Sequence, residues 1–167
     1  MENSKLNVPL LLEYFSDHLN RICCAKTHMV QRFPEAAALA TFKDLKNAID
    51  ETTRDVVKQI QRMNTVFQLL DIKQNPANCG GMTGMLDEAF ESIHAQTHEQ
   101  VLRDLSILFY MQNIESIEMT SFRILHMVAT QLNNPEITQL LRENYDEAKE
   151  DRALLLLINK QYLAKQS

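Results

Sequence analysis

The sequence predicts an all-α fold in which four long helices form an antiparallel bundle. Three observations carry this. Only 3 Gly and 4 Pro interrupt 167 residues, so the chain offers few places to break a helix. Apolar residues recur at spacings of three and four over long stretches. The clear breaks fall at a few points only, and they set the lengths of the connections.

The first helix is expected from Pro9, a favoured first-turn residue, to Phe33, with Pro34 ending it. Residues 1–8 are expected to be a flexible N-terminus. An Ala-rich connector, Glu35 to Thr41, leads to a second helix from Phe42 to about Asp71. Its apolar stripe is Leu45, Ile49, Val56, Ile60, Met63, Phe67 and Leu70. Pro76 and the Gly80-Gly81 pair forbid a helix in the segment Lys73–Gly81. Met82 to His94 reads as a short amphipathic helix. A third long helix is expected from about Thr97 to Leu132. Asn133-Asn134-Pro135 turns the chain into a fourth, which runs to about Ala164.

Short links make the first and second helices, and the third and fourth, antiparallel pairs. The link between the pairs is long enough to travel the length of a bundle. Two hairpins joined by a long crossover containing a short helix is the ferritin-like arrangement. All 167 residues are expected to form one such domain.

The net charge of −5 argues against nucleic acid as a partner, because nothing offsets phosphate repulsion. The run Ala153–Ile158 is too short to span a membrane, and Met1–Lys5 lacks the pattern of a signal peptide. A cytoplasmic location is the expectation. Cys23, Cys24 and Cys79 do not read as a secreted disulfide framework, and reduced thiols are expected. Cys79 has no partner at a C-x-x-C spacing, which disfavours redox catalysis.

Ionisable residues fall on stripes that should be buried. Lys26 is surrounded at helical spacing by Leu19, Ile22, Cys23, Met29, Val30 and Phe33. Either its amine is internal, or its stem packs at the stripe edge while the amine reaches water. Glu118 lies among Met111, Ile114, Phe122 and Leu125, and Glu115 among Leu108, Met111, Met119 and Phe122. Asp151 continues the stripe of Ile137, Leu141, Tyr145, Ala148, Leu155 and Ile158, with Glu147 at its border. Thr52 sits between Ile49 and Val56, with Asp55 beside it. Each residue is near the middle of its helix, and midpoints meet in an antiparallel bundle. Buried charges must be paired, neutralised or bound to metal, so one internal cluster of Lys26, Glu118, Asp151 and Asp55 is expected. For Glu115 and Glu118 the alternative is that one of them turns to solvent along the bundle edge.

Other candidates carry less. His94 and His98 are four apart but lie at a helix junction and lack further ligands. His126 reads as a packed histidine. The eight methionines, Met82, Met85, Met111, Met119 and Met127 among them, read mostly as core fillers.

The chain resembles the YciE/YciF-type family of ferritin-like bacterial stress proteins from Leu10 to about Leu157. The stretches Tyr14–Leu19, Gln59–Met63, Cys79–Gly84, Ile114–Glu118 and Leu140–Glu147 carry the resemblance by their order and spacing. It implies a homodimer and an internal carboxylate/histidine site for two metal ions, presumed to be iron. In that comparison the family's first-helix glutamate falls on Lys26 and its second-helix histidine on Thr52, whereas Asp55 is kept. Glu115 and Glu118 are kept, but the histidine after the first falls on Ser116. Glu147 and Asp151 are kept, and the glutamate between them is Ala148. A di-metal site needs four to six facing ligands, and here a ligand has become a cation. No cofactor is therefore expected. The leading expectation is a non-catalytic bundle with a stress-related or interaction role, as a homodimer or small homo-oligomer. The alternative is an iron-binding protein or di-iron oxidoreductase using Asp55, Glu115, Glu118, Glu147 and Asp151.

Overall fold

The computed structural model describes residues 7–75, 79–96 and 98–166. Among the described residues five helices follow one another: α1 Val8–Leu39, α2 Lys43–Leu69, α3 Gly80–Ala95, α4 Gln100–Gln131 and α5 Pro135–Gln166. The pairs α1/α2 and α4/α5 are the two hairpins. Packing of α2 on α5 and of α1 on α4 closes them into a four-helix bundle, and α3 lies in the crossover against α4 and α1. This is the all-α ferritin-like arrangement that the link lengths predict.

Local chemistry sets the ends. The Asn7 side chain accepts from Leu10 N at 3.1 Å and caps α1. Residues 1–6 of the expected flexible N-terminus lie outside the described residues, while Asn7 and Val8 already belong to the capped helix. At the end of α2, Asp71 takes a left-handed φ of 51°. Its N–H bonds Gln68 O, and Ile72 N–H bonds Phe67 O, which satisfies two terminal carbonyls. Asn133 does the same job of reversal after α4, with φ 53°. Asn134 Oδ1 then accepts from Glu136 N and Ile137 N to start α5.

Two breaks are not where the sequence puts them. Pro34 lies inside α1, which continues to Leu39. The proline is exposed, so the missing amide bond falls on the solvent side, while Ala36 and Ala37 beyond it are buried. Burial of that extra turn outweighs the local cost of the proline. Likewise Gly80 and Gly81 open α3 rather than exclude a helix. Glycine is costly inside a helix but tolerated at an N-terminus, where amides lack intrahelical partners anyway. Pro76 and Thr97 lie outside the described residues; α4 starts at Gln100.

The core has two apolar clusters. One contains Met29, Phe33, Leu45, Ile49, Val56, Leu108, Met111, Ile114 and Leu155. The other contains Phe15, Leu19, Ile22, Met63, Phe67, Phe122, Leu125, Leu141 and Ala148. On each long helix the change from one cluster to the other brackets a buried polar residue. Met127 is exposed at 61% and fills no gap in either. No described helix is long and apolar enough to cross a membrane.

Candidate functional site

The polar layer between the clusters contains Lys26, Thr52, Glu115, Glu118 and Asp151, all buried. Lys26 projects from α1 between Cys23 and Met29, both core residues. Its Nζ lies 2.5 Å from Glu118 Oε2, with side chains 0% and 1% exposed. The amine also stands over the Phe122 ring, 5.1 Å from the centroid, where the ring face adds a favourable field. The internal position, not the stripe edge, is therefore the one Lys26 takes.

On the other side of the layer Thr52 Oγ1 approaches Asp151 Oδ1 at 3.4 Å. Burial, then repulsion from Asp55, pushes the Asp151 carboxyl up to about 7, against the opposing pull of Lys26. Glu115 is fully buried, and among the described residues neither of its oxygens has a hydrogen-bond partner. Burial first, and Glu118 second, hold its carboxyl well above the ordinary carboxylate range. Burial also raises Glu118, with Lys26 acting to lower it. Lys26 Nζ thus faces Glu118, while burial disfavours the ionised forms of Glu115 and Asp151 beside them.

Asp55, expected in the cluster, and Glu147, expected at its border, stand apart. Asp55 is half-buried and its carboxylate is 2.6 Å from Lys58 Nζ, one turn along α2. It reaches the layer through its field on Asp151 and Glu115, not through a contact with Lys26. Glu147 turns to Arg62, which it meets with two hydrogen bonds of 2.6 and 2.8 Å. Ser116 Oγ accepts from Arg152 Nε at 2.8 Å and donates to Gln112 O, so that position holds α4 to α5. Ala148 is buried in the apolar wall. His94 is paired with Glu35 at 2.6 Å, and His98 is exposed. His126 is half-buried on α4.

Three buried polar residues were not anticipated: Gln59, Asn144 and Asp104. Asn144 Nδ2 bonds Gln59 O at 3.3 Å, and its Oδ1 accepts from Arg62. This extends the polar layer about two turns along α2 and α5. Asp104 is separate: from α4 it accepts Thr41 N, Phe42 N and Thr41 Oγ1. It thereby caps α2, whose own N-cap residue Phe42 has no capping side chain. Each of the three sits on an apolar stripe, the same signal that picks out Glu118.

The expectation of reduced thiols fails for two of the three cysteines. Cys24 and Cys79 form a disulfide between α1 and the start of α3, and Cys23 is free and buried. Sequence spacing conceals this pair, because the crossover folds Cys79 back onto α1 over 55 residues.

The donor set does not fit a pair of metal ions. Thr52 and Ala148 offer no ligand of the needed kind. Asp55 and Glu147 are engaged by Lys58 and Arg62, and the ammonium of Lys26 occupies Glu118. A cation placed among these acids would face that ammonium at close range. Among the described residues no group of three His, Cys, Asp or Glu side chains is arranged to hold a metal ion.

Comparison with known proteins places this geometry in context. Protein YciF of Escherichia coli (strain K12) is 24% identical over 145 residues, which is 86% of this chain and 87% of that protein. The crystal structure of the E. coli stress protein YciF matches with a TM-score of 0.87 at 22% identity, covering 93% of this chain and 98% of the other. YcfI from Rhodopseudomonas palustris matches with a TM-score of 0.82 at 23% identity, covering 93% and 96%. The profile of the family described as a domain of unknown function, DUF892, matches residues 11–166, and the chain belongs to that family.

Proposed function

We propose that this protein is a non-catalytic, metal-free ferritin-like bundle that acts through its surface, in a stress-related or protein-interaction role. The observation that carries the reading is the Lys26–Glu118 ion pair at the bundle centre, sealed from solvent. An internal ammonium balances a carboxylate charge that would otherwise call for a metal ion. The E. coli relative is named a stress protein and the R. palustris relative bears a structural designation, which supports the direction of the proposal. Self-association is part of it. Leu102, Phe109, Ile117, Ile124 and Met127 are exposed along α4, and such apolar positions favour contact with a second copy.

Elemental analysis of protein purified without chelator, before and after incubation with ferrous iron and desalting, tests the reading. Metal far below one ion per chain is the expected result. Two retained irons per chain would overturn it and install the iron-binding alternative through the surviving acids. Sedimentation of the same sample reads the oligomeric state.

A further inference from the structure

The Cys24–Cys79 bond has surroundings that a buried structural bridge does not need. Cys24 lies on α1 and Cys79 is the N-cap residue of α3, with α-carbons 5.9 Å apart. That separation suits either the bonded or the reduced pair without backbone movement. Both residues are half-buried rather than sealed. They line a cleft of about 440 Å³, within the ~300–1,000 Å³ typical of small-molecule sites. None of Lys26, Glu118 and Asp151 lines it, so it is separate from the polar layer.

The cleft also contains His28 and Asp87. His28 is one helical turn beyond Cys24, on the same face of α1. Its Nε2 is 3.0 Å from Asp87 Oδ1, on α3. With Nε2 donating to that carboxylate, Nδ1 is the nitrogen left to exchange a proton. Cys79, for its part, stands where the first amides of a 16-residue helix lack a side-chain cap. A thiolate there is stabilised by those amides and by the helix dipole. Cys23 lines the cleft as well, but it is buried, and burial pushes its thiol up, away from reactivity.

We propose that Cys24–Cys79 is a thiol–disulfide exchange site for a low-molecular-weight thiol, with His28 as its proton-transfer group. A thiolate of the small molecule attacks Cys24 Sγ. The Cys24–Cys79 bond breaks, and Cys79 leaves as a thiolate at the start of α3. A second small thiolate attacks the outer sulfur of the mixed disulfide and releases Cys24, which takes its proton from His28. The sum is one protein disulfide and two small thiols giving two protein thiols and one small-molecule disulfide. The reverse direction oxidises the protein, and His28 then takes the proton from Cys24.

The bundle does not depend on the bond to keep α3 in place. Leu86, Ala89, Phe90 and Ile93 are buried in the core. Arg32 stacks on Phe90 at 4.1 Å, and Glu35 pairs with His94. These contacts hold α3 to α1 in both redox states, so the pair can cycle while the site stays formed.

The test is equilibration of the intact oxidised protein with reduced and oxidised glutathione, alkylation of free thiols, and mass spectrometry. Two thiols are expected to appear beyond Cys23, with helicity by circular dichroism unchanged. In Cys79→Ser, glutathione is expected on Cys24. His28→Gln should slow reduction by at least about tenfold, as loss of a proton-transfer group does, and Asp87→Asn should slow it less. After correction for the thiolate fraction of glutathione at each pH, the wild-type rate should exceed that of His28→Gln by a factor that itself varies with pH. A bond that glutathione reduces only after urea unfolding would make it a structural staple and overturn the proposal. So would His28→Gln and Asp87→Asn rates both equal to wild type.

Discussion

Lys26 on α1 and Glu118 on α4 lie 92 positions apart in the chain and meet at 2.5 Å where the two apolar clusters part. Such a pair is costly to break and cheap to replace. Removing one partner leaves the other charged and buried, whereas removing both leaves only a packing problem.

Lys26→Met should therefore lose about 3–5 kcal/mol at pH 8, the usual cost of breaking a buried pair. Burial raises Glu118 and Lys26 lowers it, so without the lysine the carboxyl rises further. A raised folded-state value means stability that is present below the unfolded value and lost as pH climbs through the folded one. The deficit of Lys26→Met should accordingly shrink as the pH falls towards 4. Lys26→Met combined with Glu118→Leu should recover most of the loss. Urea unfolding of the full double-mutant cycle measures this, and strict additivity would show that the two side chains do not interact.

How far these features are legible in the sequence depends on the range of the interaction. The helices and the two hairpins follow from local periodicity and link length. Lys26, Glu118, Thr52 and Asp151 stand out because each interrupts an apolar stripe near a helix midpoint. Asp55 and Glu147 have the same midpoint position, but each finds a basic partner outside the layer, Lys58 one turn away and Arg62 across the interface. Periodicity gives a residue's face, not the rotamer that its neighbours select. Gln59, Asn144 and Asp104 also interrupt apolar stripes, but an amide carries no charge that demands a partner, and Asp104 lies near the start of α4, away from the level where the midpoints meet. The Cys24–Cys79 contact depends on how the crossover folds back, which no local pattern encodes.

Asp151 dominates the pH dependence on the opposite side of the layer. Its carboxyl moves from 3.8 to about 7, because of burial first and Asp55 second. The folded state then holds a proton that the unfolded chain has released, so the contribution of Asp151 is greatest below about 4 and declines as pH rises towards 7. Asp151→Asn abolishes this contribution while keeping an oxygen to accept from Thr52. The variant should be more stable than the parent by about 1–3 kcal/mol at pH 8 and equal to it near pH 4. Thermal unfolding of both proteins at each pH reads the difference. A variant destabilised equally at the two pH values would place an ionised, well-paired Asp151 in the layer.

Asp104 fixes the corner between α1 and α2 from the far hairpin. Thr41 N, Phe42 N and Thr41 Oγ1 all donate to it, at 2.9, 3.0 and 2.5 Å. Its neighbour Arg103 bonds Leu39 O at 3.0 Å, so one α4 turn serves both ends of the connection. Asp104→Ala leaves two backbone amides without their acceptor and should cost about 2–4 kcal/mol, since bonds to a charged acceptor are worth about 1.5–3 kcal/mol. Asp104→Asn, which retains one good acceptor, should cost less. Hydrogen exchange at Thr41 and Phe42 should accelerate in Asp104→Ala more than at the α4/α5 turn. Uniform acceleration would indicate a general loss of packing instead.

The substitution Lys26→Glu separates the ammonium from the rest of the donor set as the barrier to metal. It removes the cation and adds a fourth carboxyl to Glu115, Glu118 and Asp151. Yet Thr52 and Ala148 still present no imidazole or carboxylate, and Asp55 and Glu147 remain bound to Lys58 and Arg62. With burial and mutual repulsion already raising three acids, the fourth can be accommodated only by further protonation. Lys26→Glu should therefore be less stable than Lys26→Met at pH 8 and should still retain little iron after desalting. Lys26→Glu with Thr52→His and Ala148→Glu supplies three new ligands on three helices, and metal binding is expected only there. Iron that binds to the single variant as tightly as to the triple one would mean that Lys26 alone excludes the metal, with the positions of Thr52 and Ala148 irrelevant to it.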